Sequence, residues 1–517
     1  MKKVMTGLSL QEKMLESVDY LVDIVKTTLG PQGRNVLIDH SMFRPFVTND
    51  GATIAQNIES EDAVINTILE ITKEASLKTD EIVGDGTTTT LVLLQSLFHS
   101  CLKQIQAGKS PMILKKEMNQ DLQLLIDKLA RDKSVPNQNH LISIARIAAK
   151  DEEIGTMVAS VFERVKNQNA ITIKEVSNTT LKVLYLTGYQ CAIELASDYF
   201  LREQKSLVLS QAHVLIIQDL VSDLEPLHFI LNDCMANQKS LVLLAHDFDE
   251  QVVREMVSLN LEKALTCVLF KVTDYGLHQR KIEKDLEVLT NAKIVLDYPS
   301  LSLENLGKIE EITFTQNEAI LKFEKTPKIN HYFSLLKEES KDLKSDFELD
   351  FYQKRMAMIQ NGLAEIWVGA PTKTEGHEKK MRIMDALGAI NSANEGVLLG
   401  GGVALLKVAH ELEGLSPVSI IFKEALEAPF KQLLLNAGLD VLSIQKEIEN
   451  SNFEKVYNVN LEKMEEKEST TVLDPFSVLV NSLIHATSIA TMLFTTSSLV
   501  INEHDNHLNK TNEYTEI

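Results

Sequence analysis

Positive charge, cysteine and long apolar runs are all scarce in this sequence, and each shortage excludes something. Lysine and arginine number 52 against 73 aspartates and glutamates, for a formal net charge of -21. A general DNA- or RNA-binding role, which needs clustered cations along a phosphate backbone, is therefore excluded. The four cysteines, Cys101, Cys191, Cys234 and Cys267, stand apart with no CxxC pair. Neither a zinc site nor a disulfide framework is suggested, and a reducing cytoplasm fits best. No apolar h-region follows Met1-Lys2-Lys3-Val4, so no signal peptide is expected. The most membrane-like stretch, Val478 to Val500, is broken by Asn481, His485 and many serines and threonines; it reads as a buried helix, not a membrane span. No GxGxxG follows any strand-like run, which argues against a dinucleotide domain. Gly108-Lys109-Ser110 lacks the upstream glycine of a P-loop, Lys103 standing in its place, and that match is rejected.

What is present begins with length: 517 residues exceed a single core and suggest about three domains. Within them, Val83-Gly84-Asp85-Gly86-Thr87-Thr88-Thr89-Thr90 runs into the apolar Leu91-Val92-Leu93-Leu94. Two glycines around an aspartate let the backbone turn sharply where a helix begins. Its unpaired amides favour phosphate oxygens, and the adjoining carboxylate can hold the magnesium that accompanies a nucleotide. An ordinary N-cap is the competing explanation. Upstream, an amphipathic helix carrying Met14, Val18, Leu21, Val22 and Val25 stops at Leu29-Gly30-Pro31-Gln32-Gly33, a turn in which backbone can approach a ligand closely or simply connect helix to strand. Val36-Leu37-Ile38 reads as a strand, and Thr48-Asn49-Asp50-Gly51 as a tight turn presenting a second carboxylate.

From about Gly188 the texture changes. Short apolar runs at 213–217, 240–244, 266–270 and 292–296 alternate with helical patterns, which suggests βαβ units around a mostly parallel or mixed sheet. Leu195, Tyr199, Phe200, Leu231, Val253 and Val257 could form an apolar surface for a partner, or be core. The chain then returns to helix. Asp385 falls on an amphipathic segment, Gly400-Gly401-Gly402 opens an apolar helix, and Asp474-Pro475 has the form of an N-cap followed by a first-turn proline.

Taken in order, Thr28-Leu29-Gly30-Pro31-Gln32-Gly33-Arg34-Asn35, Asn49-Asp50-Gly51, Val83-Gly84-Asp85-Gly86-Thr87-Thr88-Thr89, Asp385-Ala386-Leu387, Gly400-Gly401-Gly402-Val403-Ala404-Leu405 and Leu473-Asp474-Pro475 resemble the group I (bacterial GroEL-type) chaperonin family. The resemblance is specific in the first hundred residues and from about Lys379 onward, and faint between. It implies a multidomain, mainly α subunit with an α/β apical domain. Residues 1–132 and 397–517 would form a helical equatorial ATP-binding domain, 133–187 and 364–396 an intermediate hinge domain, and 188–363 the apical, substrate-binding domain. By position, Thr28, Leu29, Gly30, Pro31, Gly86, Thr87, Thr88 and Thr89 would hold phosphates, with Asp85 as the magnesium ligand. Asp50 and Asp385 would orient and activate water, and Gly401, Asn458 and Asp474 would contact the nucleoside. Leu195, Tyr199, Phe200, Leu231, Val253 and Val257 fall where the family binds unfolded chains. The implied activity is an ATPase that encloses non-native proteins in a homo-oligomeric, double ring in the cytoplasm. ATP and Mg2+ are the implied cofactors, with K+ a further candidate, and a GroES-type co-chaperonin lid is an implied partner; nucleic acid and membrane are not. The other reading is a chaperonin-derived scaffold that has lost lid-dependent folding. The sequence departs from the family pattern at Asn49, where a lysine is usual, at Asn361-Gly362-Leu363 in place of a glycine-richer hinge, at the diverged segment Val272-Thr273-Asp274-Tyr275-Gly276, at His228 in a usually apolar place and Glu194 near the same surface, and in a polar tail, Asn502 to Ile517, without Gly-Met repeats.

Overall fold

Helix Phe476–Thr495 is apolar on nearly every side, and the fold buries it accordingly. Among the described residues it is the one helix long and apolar enough to cross a membrane, yet Leu479, Leu483, Ala486, Ala490 and Leu493 lie in a shared core with Leu94 and Phe98. The computed structural model describes residues 2–39, 45–165, 168–176, 178–186, 188–201, 204–298, 300–343, 345–360, 363–412 and 418–502. The expected hinge residues Asn361-Gly362 and the tail from 503 onward lie outside them.

The chain divides into two compact units. Met1–Glu163, Glu175–Leu181 and Val368–Ile517 make the first, and Arg164–Lys174 with Lys182–Trp367 the second. The first opens with strand β1 (Lys2–Thr6) and helix α1 (Gly7–Val25), whose Met14, Val18, Leu21, Val22 and Val25 are buried as their spacing predicts. A hairpin of β2 (Val36–Ile38) and β3 (Phe46–Thr48) follows. Then come α2 (Gly51–Asn57), α3 (Ala63–Val83), α4 (Thr87–Gln106), α5 (Pro111–Asp132), α6 (Gln138–Ala149) and α7 (Glu152–Val165).

Strands β4 (Ile171–Val176) and β5 (Leu181–Leu186) flank a later strand in a three-stranded sheet. Six further strands close into a barrel: β6 (Tyr189–Leu195), β7 (Leu207–Val221), β8 (Leu241–Phe248), β9 (Cys267–Val272), β10 (Gly307–Phe314) and β11 (Glu318–Lys322). β7, β8 and β9 run parallel, joined through α8 (His228–Ala236) and α9 (Glu250–Leu261), and the other pairings are antiparallel, so the sheet is mixed. The run 292–296 is not the strand its composition suggests. β10 already occupies the edge of β7 from Leu207 to Val214, which leaves only a single bridge between Ile217 and Val295. Helices α10 (Leu277–Thr290), α11 (Pro327–Glu339) and α12 (Asp346–Gln360) complete the second unit, and β12 (Leu363–Gly369) is the third strand of the sheet with β4 and β5.

The chain re-enters the first unit through α13 (Lys373–Ala393), β13 (Val397–Leu399), α14 (Val403–His410), α15 (Ser419–Asn436) and α16 (Val441–Asn450). The hairpin β14 (Lys455–Asn458) and β15 (Lys463–Glu466), strand β16 (Leu473–Pro475), the core helix α17 (Phe476–Thr495) and β17 (Ser498–Asn502) end it. β17 pairs antiparallel with β1. A helical unit with a separate mixed barrel is the multidomain, mainly α architecture expected.

Candidate functional site

Within the first unit a cavity of about 540 Å³ gathers most of the motif residues. Thr28, Leu29, Gly30, Pro31, Asp50, Asp85, Gly86, Thr87, Thr88, Thr89, Asp385, Gly401, Asn458 and Asp474 all line it, although they come from segments hundreds of residues apart.

Local chemistry explains each placement. After α1, Gly30 takes φ 83°, and the turn is pinned from outside by Asn436, whose Nδ2 donates to Lys26 O at 2.8 Å and Leu29 O at 3.0 Å. Asp50 is not in a hairpin turn but caps α2, accepting from Ala52 N at 3.3 Å and Thr53 N at 2.7 Å. α2 sits so close to α4 that a Cβ on Gly51 would fall 2.5 Å from Thr88 Oγ1 and 2.7 Å from Thr87 Oγ1. Gly86 begins α4 at φ 82°, and the first amide of that helix with an intrahelical acceptor is Thr90 N, at 2.9 Å from Gly86 O. The amides of Thr87, Thr88 and Thr89 therefore lack intrahelical partners at the positive end of the helix. Asp85 is held by Gly86 N, at 2.6 Å from Oδ1.

Two placements depart from the local reading. Asp474 is not an N-cap: it lies in β16, paired with Leu398 of β13, and Pro475 precedes the first turn of α17. Strand pairing, not capping, aims this carboxylate at the cavity. Asn458 lines the wall, but its side chain is committed to the β14–β15 turn. Its Oδ1 accepts from Asn460 N at 3.1 Å and Leu461 N at 3.2 Å, and its Nδ2 donates to Glu465 Oε1 at 3.1 Å.

Burial and mutual repulsion perturb the carboxyls of this cavity together. Burial, then the charges of Asp50 and Asp85, push the Asp385 carboxyl well above its ordinary value. Burial likewise raises Asp85, and brings Asp474 to about 7 with help from Asp85. Asp80, which the motifs did not single out, is raised to about 6 by burial and by Asp50 and Asp85. The sequence also gave no sign of Lys150. Its residue surface opens onto the cavity while its ammonium lies deep enough that burial lowers its pKa, against the charges of Asp385, Asp85 and Asp50. The only local signal for either residue is position: Asp80 is in the last turn of α3 before the Gly84 turn, and Lys150 sits between two helices. Crowded carboxyls beside free helix amides suit a magnesium-bound phosphate chain, and Asp85 offers the hard oxygen that Mg2+ takes together with substrate phosphates.

In the second unit the six residues assigned to an apolar contact surface separate. Leu195, Phe200 and Leu231 are core, at 9%, 0% and 3% exposure, which corrects their assignment to a surface. Leu195 is on the inward side of β6, and Leu231 packs from α8 into the same cluster. On α9 the core-facing residues are Val252 and Met256, which leaves Val253 and Val257 half-buried. Tyr199 is 66% exposed, and so, unforeseen, is Phe229 at 42%.

A helical unit carrying this cavity, joined in one chain to a separate mixed barrel unit, defines a chaperonin-type subunit. The chain belongs to the TCP-1/cpn60 chaperonin family, whose model matches residues 21–191 and 174–504. Among solved structures it is similar to the chaperonin gp146 from the bacteriophage EL 2 (Pseudomonas aeruginosa), crystallised in the presence of ATP-BeFx. Identity is 21%, the match covers 97% of this chain and 99% of that one, and the TM-score is 0.68 for crystal form I. Crystal form II of the same protein gives 0.59 at the same identity and coverage.

Proposed function

We propose that this chaperonin binds and hydrolyses Mg-ATP in the cavity of its first unit, and couples hydrolysis to the capture and enclosure of non-native proteins in a homo-oligomeric ring. One observation carries the reading: Asp50, Asp85, Asp385 and Asp474 line one cavity with the free amides of α4. Magnesium bound through Asp85 would neutralise phosphate charge. The chain's own residues do the rest. The Thr87–Thr89 turn donates to phosphate oxygens, Gly30 and Pro31 bring backbone close, Gly401 and Asp474 border the nucleoside end, and Asp50 and Asp385 hold the attacking water. Raised by burial and by the charges of Asp50 and Asp85, the Asp385 carboxyl is also a better proton acceptor than an ordinary carboxylate. The presence of ATP-BeFx with the similar phage chaperonin supports a nucleotide as the ligand. The equatorial, intermediate and apical boundaries given above, a double ring, a GroES-type lid and a cytoplasmic location belong to the same reading.

The scaffold alternative draws on the burial of Leu195, Phe200 and Leu231, which thins the apolar face available for clients. ATPase measured with and without an unfolded client and a co-chaperonin, beside negative-stain images, separates the two. Rings with client- and lid-responsive ATPase support folding, rings without that response support a scaffold, and no nucleotide binding at all overturns the assignment of the cavity.

A further inference from the structure

Lys150 ends α6 in the left-handed region, at φ 51°. From there its Nζ donates to two main-chain carbonyls, Thr28 O and Asn49 O, each at 3.4 Å. Those carbonyls belong to separate turns, one following α1 and one preceding Asp50, and both turns border the cavity. The charges of Asp385, Asp85 and Asp50 act on the same ammonium. Converging carbonyl oxygens beside anionic groups form the kind of ligand set that replaces the hydration shell of a potassium ion, and an ammonium is a compact point charge suited to the same ligands.

We propose that Lys150 is a built-in monovalent cation: its ammonium takes the place between Thr28 O and Asn49 O that a potassium ion would otherwise fill, so nucleotide use by this protein does not depend on K+. The inference rests on the nucleotide reading of the cavity. A tethered cation is present at a high effective concentration whatever the salt, and its positive charge repels a second ion from the same oxygens. It also joins the turn carrying Thr28 to the turn carrying Asp50, so both walls are held at one spacing before any nucleotide arrives.

The test compares the full chain in potassium chloride and in N-methylglucamine chloride at equal ionic strength, reading magnesium–ATPγS affinity by calorimetry and ATPase rate. The wild-type protein is expected to give the same values in both. Lys150→Ala is expected to lose about tenfold in affinity without potassium, the scale of a lost charged hydrogen bond, and to recover when potassium is added. Lys150→Met, whose stem still fills the space, should lose affinity without recovery. Crystals of Lys150→Ala soaked in rubidium chloride should show an anomalous peak between Thr28 O and Asn49 O that wild-type crystals lack. Wild-type binding that requires potassium, or a folded Lys150→Ala whose loss potassium does not repair, overturns the proposal and leaves the nucleotide site standing. No wild-type binding in either salt overturns the nucleotide reading and the proposal with it. Should the variants fail to fold, the wild-type salt comparison and rubidium soak decide.

Discussion

Gly84 and Gly388 meet backbone against backbone. A Cβ on Gly388 would lie 2.7 Å from Gly84 O, and one on Gly84 would lie 2.9 Å from Gly388 Cα. Gly84 immediately precedes Asp85, and Gly388 lies three residues beyond Asp385 on α13, so this contact sets the helix of one carboxylate onto the turn of the other. Ser392 strengthens it, its Oγ donating to Val83 O at 2.8 Å. Gly388 is helical, so an alanine there strains no dihedral and tests the close approach alone. Gly388→Ala is expected to cost about 1–3 kcal/mol of stability and to lower ATP turnover more than nucleotide affinity. Denaturant unfolding beside paired calorimetry and steady-state kinetics checks both effects.

Asp385→Ala removes a group assigned to the attacking water and leaves the Thr87–Thr89 turn and Asp85 intact. Nucleotide binding should persist while hydrolysis falls about 10²- to 10⁴-fold, the usual contribution of a general base. An ATPase rate equal to wild type would remove Asp385 from the chemistry.

Asp80 links the site to pH. Its carboxyl rises from 3.8 to about 6 through burial and the charges of Asp50 and Asp85. Between those values the native chain keeps a proton that the unfolded chain has released. Its contribution to stability is therefore whole below 3.8 and is lost as pH rises through about 6. Asp80→Asn should leave stability unchanged at about pH 3 and raise it at about pH 8, by roughly 1–2 kcal/mol once solvent screening of this partly exposed carboxyl is counted. Thermal unfolding of the nucleotide-free protein across that range measures it; a gain that is equal at both ends would contradict the linkage.

The second unit has its own buried ion pair. Arg355 grips Asp285 with both Nε and Nη2, at 2.7 and 2.8 Å, while Tyr189 and Tyr332 donate to the same carboxylate at 2.6 and 2.7 Å. Both charges are almost fully enclosed. Arg355→Met strands the carboxylate and is expected to destabilise this unit by about 3–5 kcal/mol, with nucleotide affinity in the first unit unchanged. Two-probe unfolding together with calorimetry would reveal any loss of binding, and with it a wider role for the pair.

Much of the site was legible because its signals are local. The glycines at 30, 84, 86, 401 and 402 all adopt positive φ, the conformation that turns of this kind require. The threonines after Gly86 start a helix, and the apolar spacing of α1 and the alternating runs of the barrel are short-range patterns. Where local pattern misled, a distant segment had intervened. Asp474 looked like a cap until β13 paired with it, the run 292–296 looked like a strand until β10 took the edge, and Leu231 could have faced either way.

The sequence by itself determined which backbone turns could form, where helices begin, and that carboxylates and free amides are supplied in a recognisable order along the chain. Those properties depend on φ, capping and spacing within a few residues. Only the tertiary structure decided that Asp50, Asp85, Asp385 and Asp474 share one cavity, that Lys150 reaches Thr28 O and Asn49 O, and that Leu195, Phe200 and Leu231 are core. The physical reason is that close packing fixes these relations. Gly84 against Gly388 and Asn436 against Leu29 are contacts between segments hundreds of residues apart, and no local rule specifies them.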